Sequence, residues 1–321
     1  MTIQTAAKQL TRTTKYKLNN GNWIPAAGFG VYLLEPENCY QLVYEALLQG
    51  YRHIDTAMGY GNQKDAARAV ADFVQKTDGV SREDIWFTTK ISNASQGYDE
   101  AKLAVQKIAD DVKEYIGYVD LILIHSPLTS KKKRVGTWKA LQEYVLDPNN
   151  STLVVHSIGV SNFGEHHIEE LLHSDGVTIK PVINQIELHP WLPKLKLREY
   201  LTKQNIVIEA YSPLTQGVKL DDPELLALEK KFNVSKIEIL AKWAYLQGFV
   251  VLLKTANKSR VKQNFEILPP GKESKDALDE GGNLGKIDLD LDLLDALDKL
   301  NTGEVFCWNN TDPTENRDEP E

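Results

Sequence analysis

An aspartate, a tyrosine, a lysine and a histidine stand where short apolar runs of this chain give way to polar loops. They are Asp55 and Tyr60 in HIDTAMGYGN, Lys90 in FTTK and His125 in LILIHSP. A tyrosine is a weak acid, with an ordinary pKa of about 10, so it delivers a proton near neutrality only with help. A neighbouring ammonium favours the phenolate and brings the phenol nearer its working range, and Lys90 can supply that ammonium. Asp55 would keep Lys90 charged and pointed. His125 could donate a hydrogen bond to a carbonyl oxygen and fix its approach. The chemistry open to this set is proton delivery to an oxygen on which charge is developing.

Each of the four has an ordinary explanation when taken alone. A strand-end aspartate commonly caps a helix, a tyrosine packs at a rim, a histidine sits satisfied in a core, and a lysine is a surface charge. Their arrival together at consecutive strand ends is what singles them out. That arrangement depends on the elements that carry them. Eight β-branched runs recur: Ala27 to Val31, Tyr51 to Thr56, Asp84 to Lys90, Val119 to His125, Ser157 to Asn162, Val182 to Glu187, Ile206 to Ser212 and Val250 to Lys254. Helical periodicity is clearest in Asn38 to Leu48, Glu100 to Tyr115, Gly136 to Val145, Lys194 to Lys203 and Ser235 to Gln247. Alternation of this kind means a parallel sheet with right-handed crossovers.

Eight repeats favour closure of that sheet. Gly28 and Gly30 lead to no third matching glycine, so the G-x-G-x-x-G turn of an open dinucleotide-binding sheet is missing. The expected architecture is α/β, a single (β/α)8 TIM barrel spanning 1–321, with its core over about 16–300. LNNGNWIP before the first run predicts an N-terminal hairpin plugging the barrel bottom. Polar, glycine-rich residues 269–286 predict a surface excursion, followed by an extra helix over Leu291 to Leu300 and a polar tail.

Composition narrows the function classes. A formal net charge of -8 and a pI near 5.5 repel polyanions, against nucleic acid or an acidic membrane as partner. No run reaches the ~18 apolar residues of a spanning helix, and the N-terminus lacks a signal-peptide core. Cys39 and Cys307 have no disulfide-framework or zinc-like spacing, so a reducing, cytoplasmic setting is expected. His166 and His167 lie among Glu165, Glu169 and Glu170 with no third ligand evident, and no metal is expected. Lys131, Lys132, Lys133 and Arg134 read as a solvated loop and helix start. Nothing calls for an obligatory protein partner.

GYRHIDTAMGYGN, FTTKI, LILIHSP, SIGVSNF, NQIELHP, AYSPL and K-T-x-x-x-x-R-x-x-Q-N follow one another over residues 16–268. In this order and spacing the chain resembles the aldo-keto reductases, with fungal carbonyl reductases and xylose or aldose reductases nearest in appearance. The resemblance implies reduction of a small-molecule carbonyl substrate by direct hydride transfer from NADPH, without a metal. It makes Asp55, Tyr60, Lys90 and His125 the catalytic tetrad, with Tyr60 the general acid. It also implies that Ser161, Asn162 and Gln185 meet the nicotinamide carboxamide and that Tyr211 stacks on its ring. Ser212 and Leu214 would meet the pyrophosphate, and Lys254, Thr255, Arg260, Gln263 and Asn264 the adenosine.

Cofactor choice follows from charge at that last group. Lys254 and Arg260 are cations, Thr255 adds a hydroxyl, and no acidic residue between them could hold a bare ribose diol, so NADPH is expected over NADH. Tyr32, Ser126, Phe306 and Trp308 are the candidate substrate contacts. Ser126 stands where the family often has a bulky aromatic, which implies a roomier, more polar pocket. Phe306 and Trp308 on a polar tail are expected to fold over the barrel mouth. Gln63, Ala67, Thr255 and Gln263 also depart from the family's commoner residues. Two rival readings use the same barrel: a non-catalytic nucleotide-binding subunit, and a Schiff-base aldolase built on Lys90 or Lys254, which Asp55 would oppose by keeping Lys90 protonated.

Overall fold

The alternating runs resolve, in a computed structural model that describes residues 5–271 and 286–318, into a closed barrel of eight parallel strands. The strands are β1 (Ala27–Gly30), β2 (His53–Asp55), β3 (Trp86–Ile91), β4 (Leu121–Ile124), β5 (Ile158–Ser161), β6 (Ile183–Glu187), β7 (Val207–Tyr211) and β8 (Val250–Leu253). Each pairs with its neighbours in chain order, and Leu252 of β8 lies opposite Gly28 of β1 to close the ring. All eight expected runs are barrel strands. Their ends differ by a few residues for local reasons: β3 starts at Trp86 because the Asp84 carboxylate accepts the Ser81 N–H at 2.7 Å and holds a turn there.

Helices α1 (Pro36–Gln49), α2 (Gln63–Lys76), α3 (Tyr98–Ile116), α4 (Lys131–Leu146), α5 (Glu165–Leu172) and α6 (Leu195–Lys203) follow β1 to β6 in turn. Two helices, α7 (Pro223–Phe232) and α8 (Lys236–Leu246), separate β7 from β8; α9 (Lys258–Phe265) and α10 (Leu291–Asp298) complete the set. In α1 the buried Cys39, Leu42, Val43, Ala46 and Leu47 recur at helical spacing on the face turned to the core. The helix begins with Pro36 in its first turn and ends at Gly50, where φ is 106°. A side chain at Gly50 would also strike the Phe265 ring, 2.8 Å from an added Cβ.

Of the basic run, Lys131, Lys132 and Lys133 are the exposed helix start that the sequence suggested, and Arg134 departs from it. The run forms the first turn of α4, five residues' worth of helix before Gly136, and Arg134 is only 2% exposed, forked onto Glu170 and Asp318 at 2.8 Å each. The partly buried Glu170 and the exposed Asp318 together hold a charge that a solvated loop would have left free.

Lys15–Lys17 and Trp23–Pro25 form the expected antiparallel hairpin. Its Leu18 and Ile24 pack on Trp86, Leu121, Leu123, Val182, Ile183 and Val250, residues at the N-terminal ends of the strands, so it covers the barrel bottom. An unanticipated pairing joins Thr5–Lys8 to Ile287–Asp290 in antiparallel register. Of the expected excursion, residues 272–285 lie outside the described residues.

Gly28 matters for what lies inside the ring. An added Cβ there would come within 2.5 Å of Leu252 Cδ2 and 2.9 Å of His53 Nδ1. The missing side chain leaves the space that the His53 ring occupies. Gly28→Ala is expected to cost about 1–3 kcal/mol by overpacking, read as a lowered Tm, and an unchanged Tm would show that the barrel interior yields at this point.

Candidate active site

Inward-facing positions alternate along each strand, so residues two apart on a strand share the barrel interior. His53 and Asp55 of β2, Thr88 and Lys90 of β3, Gln185 of β6 and Glu209 of β7 are all buried there. Barrel interiors are usually filled with branched apolar side chains, and this one has a polar centre.

Lys90 is wholly buried and donates to Asp55 Oδ1 at 2.7 Å and to the Thr56 carbonyl at 2.8 Å. Its ammonium lies 5.1 Å from the centre of the Tyr60 ring. Desolvation pulls the pKa of such a lysine down, but the Asp55 charge and the neighbouring Tyr60 outweigh it and hold Lys90 above the ordinary lysine range. A cation held in this way opposes Schiff-base chemistry at Lys90.

Tyr60 ends the short turn Met58–Tyr60, positioned by Asn62, whose side-chain amide donates to the Val31 and Leu34 carbonyls at 2.9 Å each and accepts from Thr56 at 3.0 Å. The Tyr60 hydroxyl lies 3.5 Å from His125 Nε2. The residue is half-buried overall. Lys90 does lower the pKa of this phenol as the sequence suggests, yet burial outweighs it and pushes Tyr60 up to about 12. Tyr60 therefore keeps its proton across the whole neutral range. His125 is pushed down to about 3 by burial and by Lys90, so its imidazole is neutral.

Above this group the expected carboxamide partners bond to one another. Tyr211 donates to Asn162 Oδ1 at 2.6 Å, and Asn162 Nδ2 donates to the His125 carbonyl and to Ser161 Oγ at 3.0 Å each. The Gln185 amide nitrogen donates to both Asp55 Oδ2 at 2.8 Å and Glu209 Oε2 at 2.9 Å, so it belongs to the charged floor beneath the tetrad. Around the rim, Ser212 has φ 50° and the backbone N–H groups of Ser212 and Leu214 find no partner among the described residues. Lys254, Arg260 and Gln263 are exposed, Thr255 Oγ1 accepts from the Asn257 N–H at 3.0 Å, and Asn264 lies on the buried face of α9. The first turn of α9 holds no acidic residue.

The tail does cross the barrel mouth. Trp308 Nε1 donates to the Tyr211 hydroxyl at 3.0 Å and its ring stands 5.5 Å from that of His125. Tyr32 faces Tyr60 with ring centres 5.0 Å apart. Phe306 sits deeper, 5.1 Å from the His189 ring. Ser126 overturns its sequence expectation: it is fully buried, donates to Asn93 Oδ1 at 2.8 Å and accepts from the Leu128 N–H at 3.2 Å, so its hydroxyl organises a loop and offers nothing to a pocket. His166 and His167 form no metal group among the described residues; His166 meets the Asn316 carbonyl at 2.7 Å and His167 accepts the Gly164 N–H at 3.0 Å. A cleft of about 400 Å³ lined by Asn19, Lys180 and Gln204 lies at the opposite, N-terminal end and holds none of the buried ionisable groups.

Three residues escaped the sequence reading. Glu187 anchors the tail through the Phe306 and Cys307 N–H groups, at 2.8 and 3.2 Å. Glu209 and His53 lie beneath the tetrad. Their signal was a charged or polar residue two places before a chosen one on the same strand, His53 before Asp55 and Glu209 before Tyr211.

A model described as the Aldo/keto reductase family matches residues 28–280. The uncharacterized oxidoreductase YJR096W of Saccharomyces cerevisiae is 39% identical over 250 residues, covering 78% of this chain and 86% of that protein. Glyoxal reductase of Bacillus subtilis is 36% identical over 275 residues, covering 84% of this chain and 94% of its own. Among solved structures, an aldo/keto reductase from Brucella melitensis aligns with TM-score 0.73 at 35% identity, covering 90% of this chain and 100% of that one. A point mutant of Gox0644 in complex with NADPH aligns with TM-score 0.74 at 29% identity, covering 95% and 99%. With the tetrad positions at adjoining strand ends of an eight-stranded barrel and a family match over most of its length, this chain belongs to the aldo/keto reductase family of oxidoreductases.

Proposed function

We propose that this protein reduces aldehyde or ketone groups to alcohols, taking a hydride from NADPH and a proton from Tyr60. The observation that carries the reading is the buried Lys90–Asp55 pair at 2.7 Å set behind Tyr60, whose hydroxyl meets His125 at 3.5 Å. NADPH, when bound, supplies the hydride for the carbonyl carbon. The N–H groups of Ser212 and Leu214, without partners among the described residues, and the exposed cations Lys254 and Arg260 suit its anionic groups, and the Tyr211 ring suits its flat nicotinamide.

The residues divide the work by where charge appears. As the carbonyl oxygen gains negative charge, Tyr60 gives up its proton to it, and the Lys90 ammonium stabilises the phenolate left behind. Neutral His125 holds the oxygen beside Tyr60, and Asp55 keeps Lys90 cationic. A phenol pushed to about 12 does not ionise beforehand, so the proton leaves only in concert with charge on the substrate. The names of the relatives agree with this reading, one a glyoxal reductase and another held with NADPH.

A panel of aldehydes, ketones and dicarbonyls, glyoxal included, followed by NADPH absorbance, tests the proposal. Turnover of several members is expected. Tight NADPH binding with no oxidation on any carbonyl would instead identify a nucleotide-binding subunit. Within the same panel, Trp308→Ala is expected to change relative kcat/KM among substrates several-fold, because Trp308 stands over His125. An unchanged substrate ranking would remove the tail from the pocket.

A further inference from the structure

Beneath Asp55 and Lys90 lies a second carboxylate with no cation of its own. Glu209 and His53 are both wholly buried, with Glu209 Oε1 3.6 Å from His53 Nε2. Burial pushes His53 down to about 3, so its imidazole is neutral. Its Nε2 lies 3.2 Å from Thr88 Oγ1, which also accepts the Trp86 indole N–H at 3.0 Å, and its Nδ1 has no hydrogen-bond partner among the described residues. At 3.6 Å neither tautomer of His53 makes a hydrogen bond to Glu209. Glu209 Oε1 has no hydrogen-bond partner among the described residues, while Oε2 shares the Gln185 amide with Asp55. An ionised carboxylate in this setting would hold a bare, fully buried oxygen facing a neutral imidazole, a costly arrangement that a proton on the carboxyl relieves.

We infer that Glu209 is kept as a neutral carboxylic acid facing His53 and acts as a positioning residue, leaving Asp55 as the sole counter-charge of Lys90. This rests on the proposed reduction for its effect on turnover, though not for the protonation itself. The groups facing it are His53 and Asp55 from β2, Thr88 and Lys90 from β3 and Gln185 from β6, with apolar Val250 opposite on β8; the Asp120 charge reaches His53. Burial and the Asp55 charge push Glu209 up to about 8, in agreement with the geometry. Once Glu209 ionises, a second anion behind Asp55 draws on the Lys90 field and makes Tyr60 a weaker proton donor.

The test compares wild type with Glu209→Gln. A carboxyl whose folded pKa is raised contributes stability in full below its unfolded pKa and loses it as pH rises through the folded value. Wild-type Tm is therefore expected to fall by several degrees relative to the variant as pH rises from about 4.5 to about 8. Infrared spectra of wild type near neutrality should show a protonated-carboxyl band that disappears on titration above about pH 8 and is missing in the variant. The alkaline fall in kcat/KM for reduction should move up by about one pH unit in Glu209→Gln. If the variant does not fold, the wild-type infrared titration alone decides. A Tm offset constant with pH, or no protonated-carboxyl band near neutrality, overturns the inference. Those two readouts stand whether or not carbonyls are reduced, so a failed turnover panel with an intact band would sink the proposed reaction and leave Glu209 in place.

Discussion

Tyr60→Phe is expected to lower kcat by ~100-fold or more while NADPH binding stays nearly unchanged. Removing one oxygen takes away the proton donor and keeps the ring that faces Tyr32 and covers Lys90. The loss should appear in kcat and kcat/KM together, since the interaction is realised only as charge reaches the substrate oxygen. Near-normal turnover by the phenylalanine variant on several carbonyls would show that the proton comes from elsewhere. Lys90→Met extends the logic. Its ammonium lowers Tyr60 against a larger opposing burial effect, so without it the phenol rises further and becomes a poorer acid. That variant also strands Asp55 as an uncompensated buried charge, at a cost of about 3–5 kcal/mol in stability, so its Tm must be read beside its kinetics.

The second large effect concerns the 2′-phosphate that distinguishes NADPH from NADH. Arg260 is exposed in the first turn of α9, forms no ion pair among the described residues, and sits on a helix end with no nearby carboxylate in its opening turn. Helix N-termini favour anions, and a charge-assisted hydrogen bond is worth ~1.5 to 3 kcal/mol. Arg260→Ala should therefore weaken NADPH by roughly 10- to 150-fold and hardly change NADH. Because the site is open to solvent, the preference should shrink with added salt. Titrating both cofactors against both proteins decides the matter: equal losses for the two would assign Arg260 to the pyrophosphate or the fold and remove it from the 2′-phosphate.

Strand-end residues were legible in the sequence because their signal is local. Asp55, Lys90 and His125 each close an apolar run, and parallel β/α order alone brings those ends to one face. The floor beneath them was not legible for the opposite reason. His53 and Glu209 meet only because β2 and β7 face each other across a closed ring, a relation that neither run carries in its own residues. Ser126 misled because a small polar residue after a strand-end histidine reads as open space, whereas Asn93 and Leu128 consume its hydroxyl. The acidity of Tyr60 was half legible: the lysine beside it is visible in sequence, and the desolvation that outweighs it appears only with packing.

Closure of the ring between Leu252 and Gly28 has a consequence for how the chain comes into being. A polypeptide emerging from its N-terminus exposes the outer edge of β1 until β8 has been made, and unpaired edges are templates for the wrong partner. The Thr5–Lys8 segment waits longer still, since its mate Ile287–Asp290 follows almost the entire barrel. Both contacts join residues at opposite ends of the chain, so they form late and their loop-closure cost falls at the end of folding.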